Sequence, residues 1–349
     1  MHINMQVAHF CQLKCYESNF SGGFTYIELC RHIQMTINGS FFEDKMDSKP
    51  AFSQYLAADI TRTASKQTYY TIRLLADRER IPDAYRAYAY FRWVDDGLDA
   101  ETGAQSERVA FLQHQQGLLD ACYRGQAPDC ACAEEQMLVD LAANDTEKDS
   151  GLRSYLYNMM GVMAFDVARR GRAISQAELA AYTRILATAV TEAMHYFIGH
   201  NCPAPCDETR YMAVEGAHVI HMLRDMVEDA AVGYFNLPRE YCAAQGISWQ
   251  DVDHPAYRKW VRSRVELANA CFRMGRENMA RIKTWRCRLA GYAYIARFEW
   301  MAYAIERDGY RLRAAYPERK SLQAGLWMVW RTVSSLSGLY RPAIARMSW

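Results

Sequence analysis

Two pairs of aspartates have the residue type and spacing of a metal site. In FRWVDDGLDAE, residues 91 to 101, Asp95 and Asp99 stand four apart, and in HVIHMLRDMVEDAAVGYFNLP, residues 218 to 238, Asp225 and Asp229 repeat the interval. On a helix such residues lie within about 40° of one another around the axis and about 6 Å apart along it, so each pair forms one acidic face. Like charges so placed destabilise an isolated helix by roughly 0.3 kcal/mol, and a divalent cation is the natural compensation. Hard Mg²⁺ prefers carboxylate oxygens and completes its shell with water and substrate phosphates. Two acidic faces set opposite each other across a cavity could hold several such ions around a diphosphate, drawing electron density from its C–O bond and leaving an allylic carbocation. Aromatic and methionine side chains suit the lining of such a cavity, because they face a cation without supplying water to quench it. The first pair closes a helix rich in aromatics (Tyr85, Tyr88, Tyr90, Phe91, Trp93), and an arginine adjoins each pair, Arg92 and Arg224. A solvated helix face would explain either cluster alone. Both together, each within apolar or aromatic sequence, favour the metal site.

Those faces require helices, and the pattern from Ala51 onward supplies them: apolar residues recur at helical spacing, with few strand-like alternations. The spacing predicts helices over 52–63, 66–76, 79–98, 105–124, 133–143, 150–170, 175–199, 207–231, 256–282, 287–308 and 322–334. Pro82 suits the first turn of the third, Ser175 with Glu178 forms a capping box, and the segment around Pro203 and Pro205 cannot continue a helix. The expected fold is an all-α helical bundle with a central cavity, formed by residues 50–349 as a single domain. Residues 1–49 mix Cys, His, Asn and Gly without a sustained period and read as an extension, either disordered or an over-called start with Met46 as the alternative.

The 349 residues carry 41 Lys+Arg against 40 Asp+Glu, a formal net charge of +1, which excludes the broad basic field of a nucleic-acid binder. The best apolar run, Ala324 to Trp330, is seven residues long, well short of the roughly 20 a membrane span needs. The expectation is a cytoplasmic protein, at most peripheral to a membrane. Eleven cysteines without a CxxC pair read as free thiols. His195, His200, Cys202 and Cys206 are close enough in sequence to suggest zinc, but histidines five apart point to different sides of a helix, and core or surface roles are expected. The basic run RRGR at 169–172 has a sufficient explanation in the dipole of a helix C-terminus.

Three blocks, SKQTYYTIRLL (65–75), YAYFRWVDDGLD (88–99) and MLRDMVEDAAVGYFNLP (222–238), resemble the squalene/phytoene synthase family, the head-to-head type of trans-isoprenyl diphosphate synthase, with a weaker likeness from about residue 52 to 320. The resemblance implies an isoprenoid synthase fold that binds farnesyl or geranylgeranyl diphosphate through Mg²⁺, with Mn²⁺ as a substitute. It implies condensation of two prenyl diphosphates through a cyclopropyl intermediate, and it leaves reduction by NADPH open. Carried over by position, Asp95, Asp96, Asp99, Asp225 and Asp229 are metal ligands, and Ser65, Tyr88, Arg92 and Arg224 contact diphosphate. Tyr88, Arg92, Tyr155 and His221 form the expected catalytic set, Tyr155 as a cavity tyrosine assisting rearrangement. The departures are specific. His218 and His221 replace a Gln and an Asn, which makes His221 a candidate metal ligand and proton acceptor. Thr68 replaces an aromatic residue and Ala164 a glycine, while Phe298 and Ala315 fall where carotenoid-type members carry a Tyr and an Arg. The altered pocket keeps a class I terpene synthase, cyclising one prenyl diphosphate, as the alternative. A non-enzymatic relative is a third reading, disfavoured by two intact acidic motifs. Release of a hydrocarbon product adds an expected peripheral contact with membrane.

Overall fold

The computed structural model describes residues 49–99, 104–126, 130, 132–200 and 202–337. The 1–49 extension lies outside the described residues except for Lys49. Twelve α-helices are present among the described residues: α1 (Lys49–Ala64), α2 (Lys66–Leu75), α3 (Ile81–Asp99), α4 (Gln105–Tyr123), α5 (Ala133–Asn144), α6 (Gly151–Arg169), α7 (Gln176–Phe197), α8 (Met212–Ala231), α9 (Arg239–Gln245), α10 (Pro255–Arg281), α11 (Trp285–Arg307) and α12 (Leu322–Leu336). The fold is all-α, and each of the eleven predicted helices is found. The addition is α9, which at seven residues is too short to show a helical period and stops at Gly246 in the left-handed conformation. The predicted 207–231 helix starts five residues late, because 207–211 form a turn.

Local chemistry sets the boundaries. Ser65, Ser150, Ser175 and Ser321 each cap a helix by accepting a backbone N–H, and Ser175 with Glu178 completes the expected capping box. Tertiary packing then places α3 at the centre. It lies against α1 and α5, and Tyr85, Tyr88, Tyr90 and Phe91 are all buried, so its acidic C-terminal turn emerges from the core rather than from the surface. Elsewhere α6 packs along α7, α8 is clasped by α10 and α11, and α12 closes against α11.

The α8–α10 contact depends on glycine. A Cβ on Gly275 would sit 2.7 Å from the Ala213 nitrogen, and one on Gly216 would sit 2.9 Å from the Ala268 oxygen. Backbone atoms cannot yield as a side-chain tip does, so Gly275→Ala is expected to destabilise the fold by about 1–3 kcal/mol through forced separation of the helices. Gly325→Ala on α12, where nothing lies within 4 Å, is expected to stabilise by roughly 0.5–1 kcal/mol through helix propensity. Urea midpoints of the two variants, moving in opposite directions from wild type, check this.

Candidate active site

At the end of α3, Asp95 is buried and Asp99 half-buried, while Asp96 is exposed and takes both Nε, at 3.0 Å, and Nη2 of Arg92. Burial, reinforced by Asp99, pushes the Asp95 carboxyl well above the ordinary carboxylate range. On α8, Arg224 forks onto the carboxylate of Asp225 with Nε and Nη2 both at 2.6 Å, and His221 Nε2 lies 2.8 Å from the same group. Although burial opposes it, Arg224 and then His221 hold Asp225 well below its usual range. Asp229, one turn on, accepts a 2.8 Å bond from the Asn236 amide, yet burial and the Asp225 charge raise its pKa to about 8. Each face therefore joins a strained carboxyl to one of different circumstance. The like-charge strain expected for both pairs is relieved at Asp225 by Arg224 and His221, and persists at Asp95 and Asp229.

A third acid ties the two faces together. Asp166 on α6 feels like-charge repulsion with both Asp95 and Asp229, and it lines a narrow crevice with Asp95, Asp99, Gln105, Arg170 and Tyr234. Its oxygens accept Arg169 Nε at 2.6 Å and the Tyr182 hydroxyl at 3.0 Å. Arg169 extends to Asn236 at 2.6 Å, and Asn236 reaches Asp229, so one chain of bonds runs from α6 to α8. The backbone supports this join: Gly171 N donates to Gly233 O at 2.8 Å, and Ala173 pairs with Phe235. Arg169 is thus not the surface cation at a helix end that the RRGR run suggested; it is 1% exposed. Spacing could not reveal Asp166, but a lone Asp inside MMGVMAFDV was a usable signal.

The remaining predicted residues separate. Tyr88 and Tyr155 are buried close enough to influence each other, with Tyr155 edge-on to Phe91 at 5.3 Å and its hydroxyl 3.5 Å from Ala87 O. Burial raises the Tyr155 phenol, so it stays protonated. Ser65 serves as the cap of α2, its Oγ accepting from Thr68 N and Oγ1 at 3.2 and 2.9 Å. Burial, then Arg224, lowers His221 to about 4, so the ring is neutral at pH 7 and its Nε2–H donates to Asp225, leaving Nδ1 as the lone-pair nitrogen. His195 and His200 have separate partners, Cys287 and Glu147.

Beside Asp225 lies a cleft of about 210 Å³ with Arg224, Arg297, Arg319 and Lys320 in its wall together with Phe298 and Met301, and Arg319 feels the Asp225 charge. The sequence reading missed three of these cations. Burial and the proximity of Arg224 lower the Arg319 pKa, the signature of a cation crowded by another. An anion with several oxygens would relieve that crowding.

The squalene/phytoene synthase profile matches residues 61–324, three quarters of the sequence. The chain belongs to the squalene/phytoene synthase family. Presqualene diphosphate synthase of Zymomonas mobilis is 25% identical over 190 residues, covering 54% of this chain and 62% of that relative. Among solved structures, squalene synthase HpnC from Alicyclobacillus acidocaldarius superposes with TM-score 0.61 at 19% identity over 76% of this chain and 97% of the other. A dehydrosqualene synthase crystallised with ligand gives 0.63 at 17% identity over 83% and 98%. These likenesses establish the fold as squalene synthase-like, of the isoprenoid synthase type.

Whether this family member can hold Mg²⁺ is a question of donor chemistry. Among the described residues no three acidic, His or Cys side chains converge into a ready-made cage. Mg²⁺ seldom uses one; it takes one or two carboxylates and fills its shell with water and phosphate oxygens. Asp95 and Asp229, buried carboxyls whose charge the surroundings disfavour, fit that requirement.

Proposed function

We propose that this squalene/phytoene synthase family member is a Mg²⁺-dependent prenyltransferase that condenses two prenyl diphosphates head to head. The observation that carries the reading is the meeting of buried acids and a cationic cleft on α8, where Arg224, in the cleft wall, forks onto Asp225. Asp95, Asp99, Asp225 and Asp229 would hold the ions, with Asp96 at the rim. Bound there, Mg²⁺ would supply charge neutralisation at the departing diphosphate. Arg224, Arg297, Arg319 and Lys320 would grip the phosphate oxygens, with Arg92 and Ser65 as the further contacts that the family resemblance suggests. Tyr155, kept protonated by burial, can present an O–H but does not ionise at neutral pH, and Tyr88 is buried beside it. Met163, which lines the crevice with Asp95 and Asp99, and the buried Phe91 and Met159 of the same core would help exclude water from the reacting carbon. Neutral His221 orients Asp225, and its Nδ1 is a base of ordinary reach for a carbocation proton.

Incubation with labelled farnesyl or geranylgeranyl diphosphate, Mg²⁺, and NADPH present or omitted tests the reading. Products containing two prenyl chains support it; a one-chain hydrocarbon makes the protein a terpene synthase, and absence of diphosphate release makes it a non-enzymatic relative. The cationic cleft has a separate test. Inorganic diphosphate is expected to raise the melting temperature, and Arg319→Gln to weaken that binding about tenfold by removing one charge-assisted contact. Equal thermal shifts in the two proteins would exclude Arg319 from the site.

A further inference from the structure

We infer that His218 lies against the prenyl chain and takes the proton that ends the carbocation's path, an assignment that rests on the prenyltransferase reading above. The ring is 2% exposed, and neither of its nitrogens has a hydrogen-bond partner. A core histidine ordinarily donates from one nitrogen and accepts at the other, because leaving a buried polar group unpaired costs about 1–3 kcal/mol. A duty toward a ligand is one of the few reasons to retain such a group.

Position on α8 says which ligand. Seven residues fall about 20° short of two helical turns and eleven about 20° beyond three, so His218, Asp225 and Asp229 share one side of the helix, with His218 about 10 Å before Asp225 along the axis. Side chains on a helix lean toward its N-terminus, so a diphosphate held at the acids would direct its prenyl chain toward the His218 turn. The surroundings there suit a cation. Tyr182 stands edge-on to the imidazole at 4.9 Å and stacks on Phe165 at 4.7 Å, and its hydroxyl is engaged with Asp166 at 3.0 Å. Burial, then His221 and Arg169, hold the His218 pKa well below its ordinary value, so the ring is neutral and one nitrogen keeps its lone pair. That lone pair takes a proton from the carbon next to the cation, and the C–H electron pair becomes the new C=C bond. The imidazolium, disfavoured by burial, passes its proton to the diphosphate released at ionisation, so no reductant is consumed. His221 is the competing base, but its Nε2–H is held by Asp225 at 2.8 Å, which keeps it at the acidic end.

Turnover of farnesyl or geranylgeranyl diphosphate by the full chain with Mg²⁺, NADPH omitted, compares wild type with His218→Gln, His218→Phe and His221→Asn, products being counted per diphosphate released. Wild type is expected to give a two-chain hydrocarbon carrying the extra C=C bond. In both His218 variants that hydrocarbon should fall at least about tenfold per diphosphate released, with alcohols from capture of water in its place. Phenylalanine can keep the contact with Tyr182, so a loss shared by both variants follows the lone pair rather than packing. A wild type that yields only alcohols or diphosphate esters, an unchanged product ratio in both His218 variants, or a fall in His221→Asn alone overturns the assignment and leaves the prenyltransferase reading in place. Binding gives a readout without reaction: the thiolodiphosphate analogue of the substrate, which does not ionise, is expected to shift the imidazole ¹⁵N resonances that His218→Gln removes. Unmoved resonances overturn the contact. If wild type releases no diphosphate, the base role falls together with the prenyltransferase reading, whereas shifted resonances would still place the prenyl chain at His218.

Discussion

Asp95→Asn is expected to lower diphosphate release at least about a thousandfold without lowering the melting temperature. The loss corresponds to about 4 kcal/mol of transition-state stabilisation, the scale for removing a hard anionic ligand from an ion that neutralises a leaving diphosphate. Stability should move the other way. The Asp95 carboxyl is buried, is pushed above its usual pKa by that burial and by Asp99, and has its neighbouring cation Arg92 engaged with Asp96. A raised carboxyl pKa means that the folded state binds the proton more tightly than the unfolded chain does. Its stabilising contribution is present at low pH and lost as pH rises through the folded value, so at neutral pH an ionised Asp95 costs stability that an amide of the same size does not. Asp225→Asn provides the contrast. It strands the Arg224 fork and weakens the His221 bond in a buried setting, so it should inactivate and also destabilise by about 1–3 kcal/mol. Thermal melts and a diphosphate-release assay on both variants decide the matter. Full activity in Asp95→Asn would remove that residue from the metal site, and equal melting temperatures in the two variants would refute the division between a strained and a supported carboxylate.

That division marks how far the sequence reaches. Spacing alone put Asp95 with Asp99 and Asp225 with Asp229, because i and i+4 residues share a face wherever a helix forms, and the helices themselves follow from apolar periodicity and from caps such as Ser175. What compensates each charge is a tertiary fact. Arg224 could as readily have reached Glu228 along its own helix, and only the structure turns it onto Asp225. Asp166 escaped because what it joins is distant: beyond Arg169 on its own helix it is held by Tyr182 on the next, and only the bond from Arg169 to Asn236, beyond α8, carries the link to Asp229. Arg319 escaped because it sits in a short 3₁₀ turn, Pro317–Lys320, where no period exists to assign it a face. Phe298, which the resemblance aligns with a tyrosine of carotenoid-type members, lies in the cleft wall, and the cations around it come from Arg297, Arg319 and Lys320, positions that no motif singled out.

Arg169→Met is expected to destabilise the protein by about 3–5 kcal/mol, a fall of roughly 10 °C in melting temperature, whereas Arg172→Met in the same RRGR run should cost no more than about 1 kcal/mol. The two arginines differ in place, not in type. Arg172 pairs with Glu178 at the surface, where solvent screens the charges and the flexible side chain gains little from being held. Arg169 is enclosed by Asp166, Asn236 and the rings of Tyr182 and Tyr234, at 5.1 and 4.8 Å from the guanidinium carbon. Methionine can fill much of the arginine stem's volume but leaves the Asp166 carboxylate buried without its cation, and most of the cost is that stranded charge. Removing both charges should therefore recover part of it: Asp166→Asn/Arg169→Met is expected to melt above Arg169→Met alone. Activity should not follow stability back, because Asn236 would still lose its bond to Arg169 and with it a support of Asp229. Calorimetry on the two single variants and the double variant checks the assignment. If Arg169→Met melts no lower than Arg172→Met, or the double variant melts below Arg169→Met, the network does not join the acidic faces in the way its bonds imply.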